Sequence, residues 1–573
     1  MTSGEYGRSA RISVPLLRQN RPMCDQASTR RSAAQFRLEV MTLVIIGGLA
    51  ALLLLWGLSE KYLWQDEAAT AVLSVRMLRF GRPLAYDGIN LITIDHFAAE
   101  DAHSITQRTT NPKAAVDYYI SRGDLKADTV WKWQPWGQFV FAAISFKVLG
   151  QTTLAARLPF ALAALATVLL LYRLVRTYCD SPLMASLAAV LLVLNTYWIL
   201  HSRQCRYYSV SSLFLILTLM SYAHWQWGGR WGAAPFVMAA WCWFQVDYGT
   251  VWPVFGVLFL DAFVAHRRNL WRPAWVGVAL AATIAPSIYY YELWGRLGVQ
   301  HGNWNQRFKG NLFYMNQYVV PGLIVLAVVA LVVWRWNSLP VPERRLVGIA
   351  CAIIGALSLW VPTAAPTAFL RYVVVVTPVG CLLTAWVLVR GCGSRANQFA
   401  WLCAMVLVLT PWVSMPPPLD ALIPRPAWSK RGSVFRPELS TLCSEVYGHR
   451  PDPNRLVVDW LKRNAAPADE ILINYEDIPL MFYLPNPIRG GLAAFRVEDD
   501  GKRAPRFVVL RRTVGFVHWP VFRREVERYV WIPVPLKVPD VRWGNNPDPM
   551  AQGEDPSKAQ AIFIARRVEA KTR

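Results

Sequence analysis

The chain has 573 residues, of which 54% are hydrophobic and only 17% are charged. A soluble protein carries about 25% charged residues, and here the apolar residues gather into blocks long enough to cross a bilayer. Such a crossing needs about 20 mostly apolar residues. The composition therefore excludes an ordinary soluble protein and predicts a polytopic α-helical membrane protein. The 27 Trp residues fit this class, because Trp is enriched where helices meet the lipid headgroups.

The net charge of +23 would suggest nucleic-acid binding in a soluble protein. In a membrane protein, Arg-rich loops stay in the cytoplasm and attract anionic lipid, so we expect membrane lipids as partners and no nucleic acid. The nine cysteines are scattered, without a CxxC pair or His-paired spacing. They therefore indicate neither a zinc site nor a disulfide framework.

Three regions are predicted along the chain. Residues 1–40 contain seven Arg but no signal-peptide pattern, which indicates a basic, disordered cytoplasmic tail. Residues 41–414 form the transmembrane domain, and residues 415–573 a C-terminal domain. The apolar blocks predict about 11–13 transmembrane helices. Eleven are placed at 41–58, 159–175, 183–200, 209–227, 231–245, 249–266, 273–291, 318–336, 345–362, 373–390 and 399–414.

The distribution of Arg among the loops predicts the membrane orientation. With the N-terminal tail in the cytoplasm, the later Arg-rich loops also fall on the cytoplasmic side. This holds only if the short apolar block at 136–150 does not cross, so we interpret it as a juxtamembrane or re-entrant helix. The C-terminus then lies outside the cytoplasm, and the inner membrane of a bacterium is the expected location.

Two large segments lie outside the cytoplasm in this topology. The first is the loop 59–135. The second is the region 415–573, which is predicted to form a small α/β periplasmic domain. Its sequence indicates a helix at 456–461 and buried strands at 470–474, 506–510 and 561–565.

An acidic pair, Asp66 and Glu67, follows the first predicted span, and Asp87 lies in the turn after the next amphipathic stretch. Charged residues commonly end a span, but a carboxylate here could also act as a base. Transfer of a sugar to a hydroxyl needs a base to take the proton. A phosphate leaving group needs cations that stabilise its developing charge.

Cations are expected on the same face of the membrane. They are Lys132, Arg203, Arg206 and Arg371, the last followed by Tyr372. Together with Asp87, these four cations and Tyr372 are the residues predicted to bind the substrate. The positive-inside rule disfavours Arg on this face. The alternatives to ligand binding are pairing with acidic residues and contact with lipid phosphates.

Other polar residues of the external loops carry weaker indications. Asp95-His96 and Asp101-Ala102-His103 could hold a divalent metal, although such clusters are more often solvated loop residues. No metal ligand and no certain cofactor is therefore assigned. Asp247 could face the same cavity, without a clear role.

Taken in order, these motifs resemble the GT-C superfamily of integral-membrane glycosyltransferases, in the branch of the protein O-mannosyltransferases and aminoarabinose transferases. The matching motifs are the acid pair Asp66-Glu67, the turn Gly81-Arg-Pro83, the helix start Pro135-Trp136, Arg157-Leu-Pro159 and Arg371-Tyr372. They cover roughly residues 41–390. Aminoarabinose transferases have Glu-Lys-Pro before the short helix, where this chain has Trp133-Gln134-Pro135, so lipid A is not indicated as the acceptor.

The resemblance implies an inverting transferase with a polyprenyl-phosphate monosaccharide as donor and a cell-envelope glycan, lipid or protein as acceptor. It implies Asp66 as the base, Glu67 as its neighbour in the site and Arg371 as a ligand of the carrier phosphate. Two other classes stay open. One is a transporter or flippase of lipid-linked saccharides, and the other is a non-catalytic assembly protein of the envelope.

Overall fold

The computed structural model describes most of the predicted transmembrane domain and the core of the C-terminal domain. The described residues are 33–92, 128–228, 232–293, 303–335, 337–365, 368–411, 413–414, 436, 438, 442–443, 452–491, 504–511, 523, 526–534, 538–541 and 561–568. The acid–His couples of the first external loop lie outside them, as does most of the predicted N-terminal tail.

Helices dominate the described chain and are numbered here in chain order. They are α1 Ala33–Leu55, α2 Gln65–Phe80, α3 Gly137–Leu149, α4 Thr153–Cys179, α5 Pro182–Val193, α6 Thr196–Ser202, α7 Tyr208–Gln226, α8 Ala234–Phe244, α9 Tyr248–Ala265, α10 Trp271–Tyr291, α11 Trp304–Tyr314, α12 Gly322–Arg335, α13 Val341–Ala364, α14 Thr377–Cys392, α15 Ala396–Leu409, α16 Pro453–Asn464 and α17 Asp477–Tyr483. A π-helical turn, Met315–Val319, follows α11, and 3₁₀ turns lie at Leu370–Tyr372, Val374–Val376 and Gly393–Arg395.

Each of the eleven apolar blocks predicted as spans coincides with a helix or a bent pair of helices. Six described helices are long and apolar enough to cross a membrane, or up to eight if each bent pair is one span. The chain is therefore a multi-pass membrane protein. The block at 136–150 forms α3, whose 13 residues are too few for a crossing of ~20 residues. The helix α1 begins at Ala33, inside the region predicted as a disordered tail.

The bend of 66° between α5 and α6 has a local cause at Asn195. The Asn195 Oδ1 accepts a hydrogen bond from the backbone N–H of Trp198 at 3.0 Å and so starts a new helix. Its Nδ2 donates to the carbonyl of Tyr318 at 2.8 Å, which ties the bend to the π-helical turn. The chain that leaves α6 contacts the start of α2, where Cys205 and Arg206 bond Glu67 and Asp66.

The helix α2 packs against α3 and against α17 of the C-terminal domain. It ends at Gly81, whose φ of 73° is the left-handed conformation that glycine adopts without strain. At its other end, Asp66 and Glu67 lie in the first turn, where carboxylates favour helix formation. The position of these two acids is therefore set by the start of α2.

The C-terminal domain contains a five-stranded sheet of β1 Ile471–Ile473, β2 Ile488–Gly490, β3 Phe507–Leu510, β4 Trp531–Pro533 and β5 Phe563–Arg567. The strand order is β2-β1-β3-β5-β4. The strand β1 pairs in parallel with β2 and β3, whereas β5 is antiparallel to β3 and β4. The small α/β domain predicted from the sequence is confirmed, and β1, β3 and β5 coincide with the three predicted strands.

The buried carboxyl of Glu476 lies in this domain, at the start of α17. Burial raises the pKa of Glu476 to about 8 against the opposing effects of Arg511 and a hydrogen bond from Asn454. The Asn454 Nδ2 lies 3.2 Å from the Glu476 Oε2. Near neutral pH the folded domain therefore holds this carboxyl mainly in its protonated form.

We expect Glu476→Gln to make the protein more stable than the wild type in mildly alkaline solution. An acid whose pKa is raised by folding contributes stability below its unfolded pKa, near 4.5, that is lost as the pH rises through about 8. The amide removes this loss and keeps an oxygen that accepts from Asn454. Thermal unfolding of both proteins between pH 4 and 9 is the measurement. Parallel curves over this range would contradict the prediction.

Candidate active site

The Asp66 carboxylate lies against two arginines that are distant in sequence. Its Oδ2 is 2.5 Å from Nη1 of Arg371 and 3.7 Å from Nη2 of Arg206. The side chains of Asp66 and Arg371 keep about a quarter of their surface exposed, at 26% and 25%. Three ionisable groups therefore meet at a place that a ligand can reach.

Arg206 is held at this place by the first turn of α2. Its Nη1 donates to the carbonyl of Asp66 at 3.1 Å and to the Thr70 hydroxyl at 3.3 Å. The Nε of Arg206 is buried and has no hydrogen-bond partner among the described residues. An unpaired buried donor is unfavourable, but this nitrogen lies beneath the surface, and the Nη groups of Arg206 are the atoms that face Asp66.

Arg371 lies in the 3₁₀ turn that precedes α14, between two aromatic rings. Its guanidinium carbon is 4.6 Å from the centre of the Phe369 ring and 5.4 Å from that of Tyr372. Cation–π contacts of this kind orient a guanidinium without using its N–H groups. Tyr372 thus supports Arg371 without using its N–H groups, one of which donates to Asp66.

Glu67, the neighbour of Asp66, has a different environment. Its side chain has no exposed surface, and its carboxylate accepts from Nε and Nη2 of Arg157 at 2.8 and 2.7 Å. The backbone N–H of Cys205 donates to the same carboxylate at 2.9 Å. Glu67 therefore joins α2, α4 and the segment that carries Arg206, and it has no exposed surface for a substrate to contact.

Arg157 also holds the chain that enters the site. It donates from Nη1 to the carbonyls of Leu58 and Lys61 and from Nη2 to that of Tyr62, at 2.8 to 3.3 Å. Arg157 is part of a sequence motif, Arg157-Leu-Pro159, to which no role was assigned. The signal that could have found it is an Arg near the start of a membrane helix, on the side that is predicted to lie outside the cytoplasm and that the positive-inside rule disfavours.

Asp87, predicted to bind substrate, is instead paired within its own turn. Its Oδ2 accepts from Nη2 of Arg76 at 2.7 Å, and its Oδ1 accepts from the backbone N–H groups of Ile89 and Asn90. Burial alone would raise the pKa of Asp87, but Arg76 and these N–H groups outweigh it and lower the pKa. The observed contacts give Asp87 a role in shaping the turn.

Two predicted cations are also engaged away from Asp66. Arg203 donates from Nη1 and Nη2 to the carbonyls of Leu53 and Trp56, both at 2.6 Å, which satisfies the C-terminal end of α1. The Nζ of Lys132 lies 3.6 Å from Glu292 and 4.8 Å from the centre of the Tyr290 ring. The structure therefore brings Arg206 and Arg371 to the acid, but not Arg203 or Lys132.

Asp247 serves as the N-cap of α9. Its carboxylate accepts from the backbone N–H of Gly249 at 2.9 Å and from the hydroxyls of Thr250 and Ser211 at 2.6 and 3.0 Å. These contacts give it a structural role in place of the cavity role considered from the sequence.

Within the described part of the chain, no group of three or more His, Cys, Asp or Glu residues is placed to hold a metal ion.

Comparison with solved structures identifies the fold. The crystal structure of ArnT from Cupriavidus metallidurans bound to undecaprenyl phosphate superimposes with a TM-score of 0.54, at 14% identity, over 94% of this chain and 99% of that one. The crystal structure of the same ArnT in the apo state has the same TM-score and identity, over 93% of this chain and 98% of that one. The Archaeoglobus fulgidus oligosaccharyltransferase has a TM-score of 0.47, at 9% identity, over 87% and 73%.

The chain therefore has the GT-C fold, which confirms the fold implied by the sequence resemblance. No protein-family model matches the chain, and no curated protein sequence matches it.

We expect Glu67→Gln and Asp66→Asn to differ sharply in their effect on stability. The first leaves Arg157 buried without its counter-charge and should lower the free energy of unfolding by about 3 to 5 kcal/mol. The second weakens a partly exposed pair and should change it by less than about 1 kcal/mol. Thermal unfolding of the purified variants in one detergent tests this, and equal losses would contradict the distinction between the two acids.

Proposed function

We propose that the protein is a membrane glycosyltransferase. It moves a monosaccharide from a polyprenyl-phosphate donor to an envelope glycan, lipid or protein on the outer face of a bacterial inner membrane. The observation that carries this proposal is the contact of Asp66 with Arg371 and Arg206. The GT-C fold supports it, and the ArnT structure that matches over almost its whole length holds undecaprenyl phosphate.

The proposed reaction is a single displacement. The acceptor hydroxyl attacks the anomeric carbon, its proton passes to Asp66, and a new glycosidic bond forms as the bond from that carbon to the phosphate oxygen breaks. The bonding electron pair leaves with the polyprenyl phosphate, and the anomeric configuration inverts. Arg371 and Arg206 stabilise the charge that develops on the phosphate.

The pairing of Asp66 with Arg371 suits this reaction. A donor phosphate is an anion that can accept two parallel N–H bonds from a guanidinium, and it would compete with Asp66 for Arg371. Its binding would therefore release the carboxylate toward the acceptor hydroxyl. Arg206, whose Nη2 lies 3.7 Å from the Asp66 Oδ2, would place a second positive charge beside the same phosphate.

The location of the described ion pairs favours chemistry at a membrane surface over transport. The candidate site lies where α4 and α14 begin, beside Arg157 and Arg371. The pair of Glu343 with Arg390 lies at the opposite end of α14. With the Arg-rich end in the cytoplasm, the site faces outward. A transporter would instead place ionisable residues near the middle of its spans.

The proposal predicts that Asp66→Asn abolishes transfer while leaving folding and membrane insertion intact. Envelope glycans would be compared by mass spectrometry in a deletion strain that expresses wild type, Asp66→Asn or Asp180→Asn at equal levels. Asp180 makes a matched control because it is an exposed aspartate paired with Arg176 at the far end of α4. Deletion should remove one sugar residue, which wild type and the control restore and Asp66→Asn does not.

Restoration by Asp66→Asn would show that Asp66 is not the base. Glycans that are unchanged by the deletion under several growth conditions would contradict the transferase itself.

A further inference from the structure

We infer that the C-terminal domain is a positioning element of the active site, and that Tyr483 and Asp477 are its positioning residues. This inference rests on the proposed function. Tyr483 and Asp477 hold the short segment that precedes α2 and the first residue of α2. By doing so they also fix the position of the Asp66 carboxylate. No role for this domain is predicted from the sequence, and its described part offers no carboxylate to the cluster of Asp66, Arg371 and Arg206.

The C-terminal domain hydrogen-bonds the backbone of the segment Glu60–Trp64. The N–H of Tyr62 donates to Oδ2 of Asp452 at 2.6 Å. The N–H of Leu63 donates to the Tyr483 hydroxyl at 3.0 Å, and the carbonyl of Leu63 accepts from Nδ2 of Asn454 at 3.0 Å. Side chains that are about 390 to 420 residues distant along the chain thus fix the backbone that leads into α2.

A reciprocal pair of hydrogen bonds joins the first residue of α2 to the first turn of α17. The Gln65 Nε2 donates to Oδ1 of Asp477 at 2.7 Å, and the Gln65 Oε1 accepts from the backbone N–H of Ile478 at 3.4 Å. Gln65 is 4% exposed, so water does not readily replace these bonds. The next residue in the chain is Asp66.

Tyr483 connects three parts of the structure. Its ring stacks on Tyr62 with the ring centres 3.9 Å apart, and its hydroxyl lies 2.7 Å from the Thr153 hydroxyl at the start of α4. Burial raises the pKa of Tyr483 well above its ordinary value. The hydroxyl therefore stays neutral, and it can accept from Leu63 while it donates to Thr153.

These contacts complement those of Arg157. Arg157 holds the carbonyls of residues 58, 61 and 62 from the membrane domain, and the C-terminal domain holds residues 62, 63 and 65. Ile478 and Phe482 of α17 share one apolar cluster with Leu63 and with Leu73 of α2. A base must be placed to within a fraction of an ångström for proton transfer, and this double attachment can provide that placement.

The test uses two readouts on the full-length protein in lipid vesicles. The first is hydrogen exchange of the peptide that covers residues 60–67. The second is steady-state transfer from a polyprenyl-phosphate monosaccharide, with kcat and the donor KM determined separately. The variants are Tyr483→Phe, which keeps the ring, and Asp477→Ala, with Asp477→Asn as the conservative variant because its Oδ1 still accepts from Gln65.

Ile564→Val is the matched control. Ile564 is buried in the core of the C-terminal domain, so removal of one methylene group from it lowers the stability of that domain. The substitution leaves Tyr483, Asp477 and the segment 60–65 unchanged. A variant that merely weakens the domain is thereby distinguished from one that releases the segment.

We expect Tyr483→Phe and Asp477→Ala to accelerate exchange and to lower kcat about tenfold, with the donor KM within about twofold. Asp477→Asn and Ile564→Val should match wild type in the exchange rate of residues 60–67, in kcat and in the donor KM. Unchanged exchange in Tyr483→Phe, or an equal loss of kcat in Ile564→Val, would overturn the inference. If both effects appear but Asp66→Asn is as active as wild type, the positioning stands and the assignment of Asp66 as base fails.

Discussion

The buried ion pair of Glu67 with Arg157 is the constraint around which the site is built. A charged pair without solvent is tolerated only when its remaining donors and acceptors are satisfied. Here they are satisfied by the backbone of Cys205 and by carbonyls of the segment that leaves α1. One interaction thus fixes the start of α2, the N-terminal part of α4 and the loop of Arg206. The approach of Arg206 to Asp66 depends on it.

The two adjacent acids consequently have separate roles. Successive residues of an α-helix point about 100° apart, so Glu67 faces the packed interior while Asp66 faces Arg371 and Arg206. Glu67 is fully enclosed, and Asp66 keeps 26% of its side-chain surface. The resemblance implied that both residues belong to the site, and the structure places them in different environments. Glu67 holds the site together, and Asp66 is accessible to a ligand.

Hydropathy was sufficient to locate the membrane helices, whereas their orientation stays a prediction from loop charge. Alternation and burial patterns located three of the five strands. The sequence also narrowed the external cations to four, but it could not select Arg206 and Arg371 from them. Asp66 and Arg371 are 305 residues apart. Tertiary packing decides whether a side chain of the short turn at Arg371 reaches the acid. Arg203 lies three residues from Arg206 yet satisfies the end of α1. The docking of Tyr483 on Leu63 leaves no local pattern in either segment.

The central claim is that Arg371 and Arg206 bind a lipid-linked phosphate in competition with Asp66. Binding of undecaprenyl phosphate to the purified protein, measured by native mass spectrometry of wild type, Arg371→Gln and Asp66→Asn, tests it most directly. The account predicts that Arg371→Gln weakens binding at least about tenfold, as expected for a lost charge-assisted pair. It predicts that Asp66→Asn binds as tightly as wild type or more tightly, because the competing anion is gone. Binding that neither substitution changes, or that Asp66→Asn weakens, would contradict it.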